Sequence, residues 1–164
     1  MSKTITITTA EGKTYQFVDD GSPMQGGMKD VYFAPDKSYV VAFFRDKQDF
    51  NSKERLNKIV TIYRKGIFEN VGGEYWKDLF CWPYDIVDYN GKVGIIVPSY
   101  QKQFFFKHGA LAGKEKEGKW FSTAQFFSNK YPLKLDKAEI GDWMRYLLCV
   151  LKSAVLLSDC MPQV

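Results

Sequence analysis

Residues 21–45, GSPMQGGMKDVYFAPDKSYVVAFFR, set the glycines Gly21, Gly26 and Gly27 between runs of strand-forming residues. Glycine lacks a Cβ, so a loop of this composition lets main-chain N–H groups lie close to a phosphate or a flat ligand. The same residues also serve a plain strand-to-strand turn, and both readings stand at this point. Downstream, Asp30–Ala34 and Ser38–Phe44 are β-rich runs joined by Pro35-Asp36-Lys37, a turn whose proline presets the corner. Upstream, TITIT at residues 4–8 and the run Thr14–Val18 alternate around Gly12. That pattern predicts a β-hairpin, which Asp19-Asp20-Gly21-Ser22-Pro23 then stops.

Beyond Arg45 the apolar period changes. Asn51 is placed to cap a helix, with Glu54 three residues on reaching back as in a capping box. Leu56, Ile59, Val60, Ile62, Tyr63, Ile67 and Phe68 recur at steps of three and four, predicting one apolar face, and Gly72-Gly73 closes the helical region. Leu79–Val87 and Lys92–Val97 read as strands around Asp88-Tyr89-Asn90-Gly91, whose Asn-Gly pair signals a tight turn. Phe104-Phe105-Phe106 and a charged, glycine-containing loop follow. A second capping pattern, Asp136 with Glu139, opens a long helix carrying Ile140, Trp143, Met144, Leu147, Leu148, Leu151, Ala154 and Val155, which is expected to be buried. The fold class is α+β: an antiparallel sheet with a helix packed on it, then a long C-terminal helix.

Composition excludes several functions. With 164 residues, 45% hydrophobic and 16% aromatic, the chain has apolar surface for one substantial core and is not a disordered segment. The net charge of +4 is mild, and the densest basic run, KEKEGK from Lys114 to Lys119, alternates with glutamates. It reads as a solvated loop, and nucleic-acid binding is not expected. Cys81, Cys149 and Cys160 lack CxxC spacing and His108 is the single histidine, so neither a metal site nor a disulfide framework is expected. The most apolar stretch, Tyr146–Leu157, has 12 residues and includes Lys152, too short to span a bilayer. No secretory signal opens the sequence, and a cytoplasmic location is expected.

The succession of strand, glycine loop, strand, turn, strand, helix, strand, tight turn and strand resembles the small lobe of a protein-kinase-like fold. In that likeness Gly26-Gly27-Met28-Lys29-Asp30-Val31-Tyr32 resembles a glycine-rich nucleotide loop running into its second strand, and Val41-Ala42 the strand that carries the nucleotide lysine. Residues 51–70 resemble the helix that supplies the paired glutamate, and Ile95–Tyr100 the strand entering the hinge. GGMKDVYF and LFCWPYDIV are similar to phrases in bacterial kinase-like proteins associated with tellurium-resistance and stress genes. The resemblance implies a small lobe over residues 1–100, with a connector and the helical start of an incomplete large lobe over 101–164. It implies ATP with magnesium as the cofactor, with Gly26, Gly27, Met28, Lys29 and Arg45 as the binding residues. It also implies contact with a protein partner or a missing large lobe, or self-association through the exposed flank of the last helix.

The departures are specific. Against G-x-G-x-x-G-x-V, counting back from Val31 puts Lys29, Gly26 and Met24 at the three glycine positions. The strand-lysine position falls on Phe44, and Arg45 points to the other face of its strand unless the register slips by one residue. Glu54 and Glu69 read as a cap and a solvated terminal residue rather than as the glutamate partner. After Asp136 the acidic residues are Glu139, Asp142 and Asp159, with no HRD, catalytic-loop asparagine or DFG to carry phosphoryl transfer. No catalytic residue is expected. The expectation is a truncated or degenerate nucleotide-binding lobe without phosphotransferase activity as this chain stands; a non-catalytic interaction module of a stress or tellurium-resistance system is the alternative.

Overall fold

The computed structural model describes residues 2–69, 73–108 and 111–116, together with 147, 148 and 151. Two compact units make up the chain, Met1–Ser99 and Tyr100–Val164. In the first, β1 (Lys3–Thr8) and β2 (Thr14–Asp19) form the expected hairpin around Gly12, which takes φ 84°. Ile5 pairs with Phe17 and Ile7 with Tyr15. Directly opposed residues point the same way, so these four apolar side chains share one side of the ribbon.

A separate antiparallel sheet has five strands in the order β3-β4-β5-β7-β6. Its members are β3 (Met24–Gln25), β4 (Lys29–Phe33), β5 (Tyr39–Phe44), β6 (Asp85–Tyr89) and β7 (Lys92–Pro98). The β6–β7 turn is the tight one expected, with Asn90 at φ 51° and Gly91 at φ 73°. The sequence reading differs at two strands. The glycine turn is entered from the short β3, not from the upstream hairpin, and β6 starts at Asp85 because Gly73–Leu79 folds as a helix.

The β1–β2 hairpin lies across one face of this sheet, β1 beside β6 and β2 beside β4. Between them sits the core of Ile7, Phe17, Val41, Phe43, Val87 and Ile96. Each such side chain contributes about 1.5–3 kcal/mol by leaving water, whereas an exposed ion pair contributes about 0–1 kcal/mol. Apolar burial therefore decides where the hairpin docks. Polar contacts fix its register: the buried Asp85 accepts from the Tyr15 hydroxyl at 2.9 Å and from Lys13 Nζ at 3.3 Å. The Tyr39 hydroxyl donates to the Gln16 carbonyl at 2.9 Å and accepts from the Gln16 N–H at 2.8 Å.

The crossover helix belongs to the opposite face. It runs as α1 (Phe50–Lys58), a π turn (Ile59–Tyr63) and α2 (Arg64–Phe68) without a break. Its N-cap is Asp49, whose carboxylate accepts the Ser52 N–H at 2.7 Å, in place of the expected Asn51. Glu54 is free of any capping box and pairs with Lys58 at 2.9 Å, one helical turn on. Lys53 reaches Asp88 on β6 at 3.4 Å. Asp88 lies between Val87 and Tyr89, which face the hairpin, so alternation turns it to the helix side. The single apolar stripe expected for this helix is interrupted: Ile67 and Phe68 are buried, but Ile62 is 63% exposed. A π turn takes an extra residue per turn and moves later side chains off a 3.6-residue period. Trp82 holds it there, its Nε1–H donating to the Ile59 carbonyl at 2.9 Å while its ring meets Phe68 edge-on. The helix α3 (Gly73–Leu79) follows.

In the second unit, Phe105 bridges Glu115, and the Phe106 N–H donates to the Lys114 carbonyl at 2.9 Å, which sets residues 104–106 alongside 114–116. Phe106 is buried. Leu147, Leu148 and Leu151 are helical and exposed rather than buried. The remainder of the expected C-terminal helix lies outside the described residues. Among the described residues no helix is long and apolar enough to cross a membrane.

Two consequences are measurable. A Cβ at Gly94 on β7 would stand 2.7 Å from the Phe43 ring and 3.1 Å from Val87 Cγ2. Gly94→Ala is expected to cost about 1–3 kcal/mol in urea unfolding, as overpacked cores do. Burial pushes the Tyr84 phenol up to about 12. The folded chain then keeps a proton that an unfolded tyrosine, near 10, has released, so stability falls as pH rises from about 10 to about 12. Denaturant midpoints across that range are expected to drop less steeply for Tyr84→Phe.

Candidate functional site

The glycine turn joins β3 to β4 at the edge of the sheet, Met24 pairing with Val31 and Gln25 with Asp30. The Gly26 N–H donates to the Lys29 carbonyl at 2.9 Å, and the Arg45 N–H extends the neighbouring ladder to the Met28 carbonyl at 3.1 Å. Gly12, Gly21 and Gly91 occupy left-handed backbone, which explains glycine there; Gly26 and Gly27 do not. A Cβ on Gly26 would meet only the Lys29 carbonyl, at an ordinary 3.5 Å, and one on Gly27 would meet nothing within 4 Å. The turn itself therefore has no need of glycine at either position. What the two glycines do is leave the tip of the backbone bare, and residues 26–28 are all exposed.

Lys29 opens β4 and pairs directly with Phe44 on β5. Both side chains stand on the helix-side face, and the Lys29 ammonium sits over the Phe44 ring, 4.5 Å from its centroid. Partial burial lowers its pKa below the ordinary lysine value. Among the described residues no carboxylate forms an ion pair with it.

Arg45 goes the other way. The register shift that would bring it beside the turn's ligand side is absent, since Phe44 stays paired with Lys29. The Arg45 side chain lies on the hairpin face, with Nε 3.1 Å from Asp30. Its guanidinium also donates to the carbonyls of Gly26 and Lys29. Arg45 thus braces the turn from behind. Glu54 and Glu69 pair with Lys58 and Lys65 along the helix surface, and neither reaches Lys29. Met28 projects 69% exposed from the tip.

Of the five candidates, four form one contiguous turn, Gly26 to Lys29, and the fifth supports it. Sequence reasoning treated Lys29 as a loop residue and missed its pairing with Phe44. Counting outward from the three-residue Pro35-Asp36-Lys37 turn puts residue 29 opposite residue 43; the loop also takes in Ser38, which moves the pairing by one and sets Lys29 opposite Phe44. An open cavity of about 190 Å³ lies on the hairpin face between Phe17, Tyr32, Phe43 and Tyr89, with Asp30 in its lining, on the face opposite the Lys29 side chain. Among the described residues no three His, Cys, Asp or Glu side chains gather to hold a metal. Comparisons with protein-family models, curated proteins and solved structures return no match.

If the fold needs no glycine at the tip, Gly26→Ala and Gly27→Ala are expected to leave the urea midpoint unchanged or to raise stability by about 0.4–1 kcal/mol by restricting the unfolded chain. A loss larger than about 1 kcal/mol in either variant would show that the turn itself demands glycine.

Proposed function

We propose that residues 1–100 form a kinase-like small lobe that binds an adenine nucleotide, ATP with magnesium, over the glycine turn, without phosphoryl transfer as this chain stands. The observation that carries this reading is the bare tip at Gly26 and Gly27, where neither backbone conformation nor packing requires glycine. A ligand lying against the main chain would use such a bare tip. The sheet order supports it: a glycine turn joins the first two strands of the sheet, and the helices over residues 50–68 and Gly73–Leu79 fall between its third and fourth in chain order. That is the succession which the sequence resemblance implies for such a lobe.

The residues present suit the phosphates better than the metal. The exposed N–H groups of the tip and the adjoining Lys29 offer donors and positive charge to an anion. Magnesium would come with the nucleotide and neutralise part of its charge. After Asp136 the sequence carries no HRD, catalytic-loop asparagine or DFG pattern, so binding, not transfer, is the proposed activity.

A second reading is favoured by a separate observation. Met24 at 54% and Met28 at 69% exposure flank the bare tip, and thioether side chains on a projecting turn suit contact with a protein surface. On that reading the lobe is an interaction module of a stress or tellurium-resistance system.

Thermal denaturation separates the two. Millimolar ATP with magnesium is expected to raise Tm, since a ligand that binds only the folded state stabilises it by about 2.7 kcal/mol at a hundredfold excess over Kd. An unchanged Tm at millimolar nucleotide sinks the nucleotide reading and leaves the interaction module.

A further inference from the structure

We propose that Lys29 is the cation that binds the nucleotide phosphates, the charge that a kinase-like lobe carries on its third strand having moved across one strand, from position 44 on β5 to its partner position on β4. The inference rests on the nucleotide reading above and assigns the residue that would hold the anion.

Four observations converge on it. Lys29 and Phe44 are direct partners in an antiparallel pair, and such partners project from one face with their Cβ atoms about 4.5–5.5 Å apart. A lysine stem spans that offset, so a cation on β4 serves the same space as one on β5. The ammonium already lies over the Phe44 ring, so the residue in the lysine position steers its replacement. Lys29 also directly follows Gly26-Gly27-Met28, placing charge at the end of the bare backbone turn. Finally, it is the cation with no ion-pair partner among the described residues here, whereas Arg45 is on the opposite face and engaged by Asp30 and by the turn's carbonyls. A partly buried ammonium without a carboxylate gains more from an incoming anion than a paired or fully hydrated one.

The decisive comparison uses the full chain, wild type and three variants, with ATP–magnesium and with inorganic tripolyphosphate, each followed by calorimetric titration and Tm shift. Lys29→Met is expected to weaken both ligands about tenfold or more, in line with loss of a hydrogen bond to a charged group. Arg45→Met, which removes a cation from the other face, is expected to weaken them less. The exchange variant Lys29→Phe with Phe44→Lys keeps the ring and the ammonium side by side and is expected to recover most of the affinity. Circular dichroism on every variant separates loss of the fold from loss of the ligand. Equal affinity of wild type and Lys29→Met for ATP overturns this assignment and leaves the nucleotide reading standing. Binding of tripolyphosphate that depends on Lys29, with no response to ATP, supports Lys29 as a phosphate ligand and removes the nucleotide. Failure of the wild type to bind either ligand overturns both.

Discussion

The ring of Phe43 lies where β7 has no side chain. Gly94 is its direct cross-strand partner, and the space a methyl group would take is filled by the ring edge. Around that ring stand Phe17 at 5.6 Å, Tyr32 at 6.0 Å and Tyr89 at 6.0 Å between centroids. One residue thus joins three strands of the sheet to the hairpin laid over them. Aromatic contacts of this kind add about 0.5–1.5 kcal/mol each beyond the area they bury, so the cluster outweighs the exposed ion pairs at the hairpin's rim. Removing Gly94's vacancy would push the ring into its neighbours.

Parity then settles the site. With Phe43 held against the hairpin, Phe44 must face the crossover helix and Arg45 the hairpin again, since strand side chains alternate. Lys29 and Asp30 follow the same rule on β4, which is why Lys29 meets Phe44 and Asp30 meets Arg45. Two basic residues only one pair apart in the ladder therefore do different work. One lies over a ring with its charge unclaimed among the described residues, and the other is consumed in bracing the turn.

Much of this was legible from residue order. The β1–β2 hairpin, the tight Asn90-Gly91 turn and the β4–β5 pair followed from alternation and turn chemistry, which are local. What was not legible depended on distant partners. Met24-Gln25 is too short for any period to mark it as a strand, and it exists because Val31 and Asp30 pair with it. The register of the first hairpin over the sheet is fixed at Asp85, an acidic residue in an apolar run whose partners, Tyr15 and Lys13, lie about 70 positions away. The start of α1 moved to Asp49 because either neighbouring polar residue is a competent cap, and sequence does not rank Asp49 against Asn51. Composition alone treats all these glycines alike, and only the backbone angles separate Gly12, Gly21 and Gly91, which bend the chain, from Gly26 and Gly27.

The π turn at Ile59–Tyr63 makes the length of the crossover helix, and not merely its apolar content, part of the code. Each residue of an α-helix advances its successors by about 100°. Excising a single residue from this turn would let it close to ordinary α geometry with Lys53 and its neighbours still in phase with Ile67 and Phe68, because a π turn spends about one residue more on the same rotation. The same deletion in α1 would swing them by about 100°. The bond from Trp82 to the Ile59 carbonyl is made where the π turn begins. The helix thus answers to two partners along its length, Asp88 of the sheet at Lys53 and Trp82 at Ile59, and the π turn is where a residue can be lost without disturbing either end.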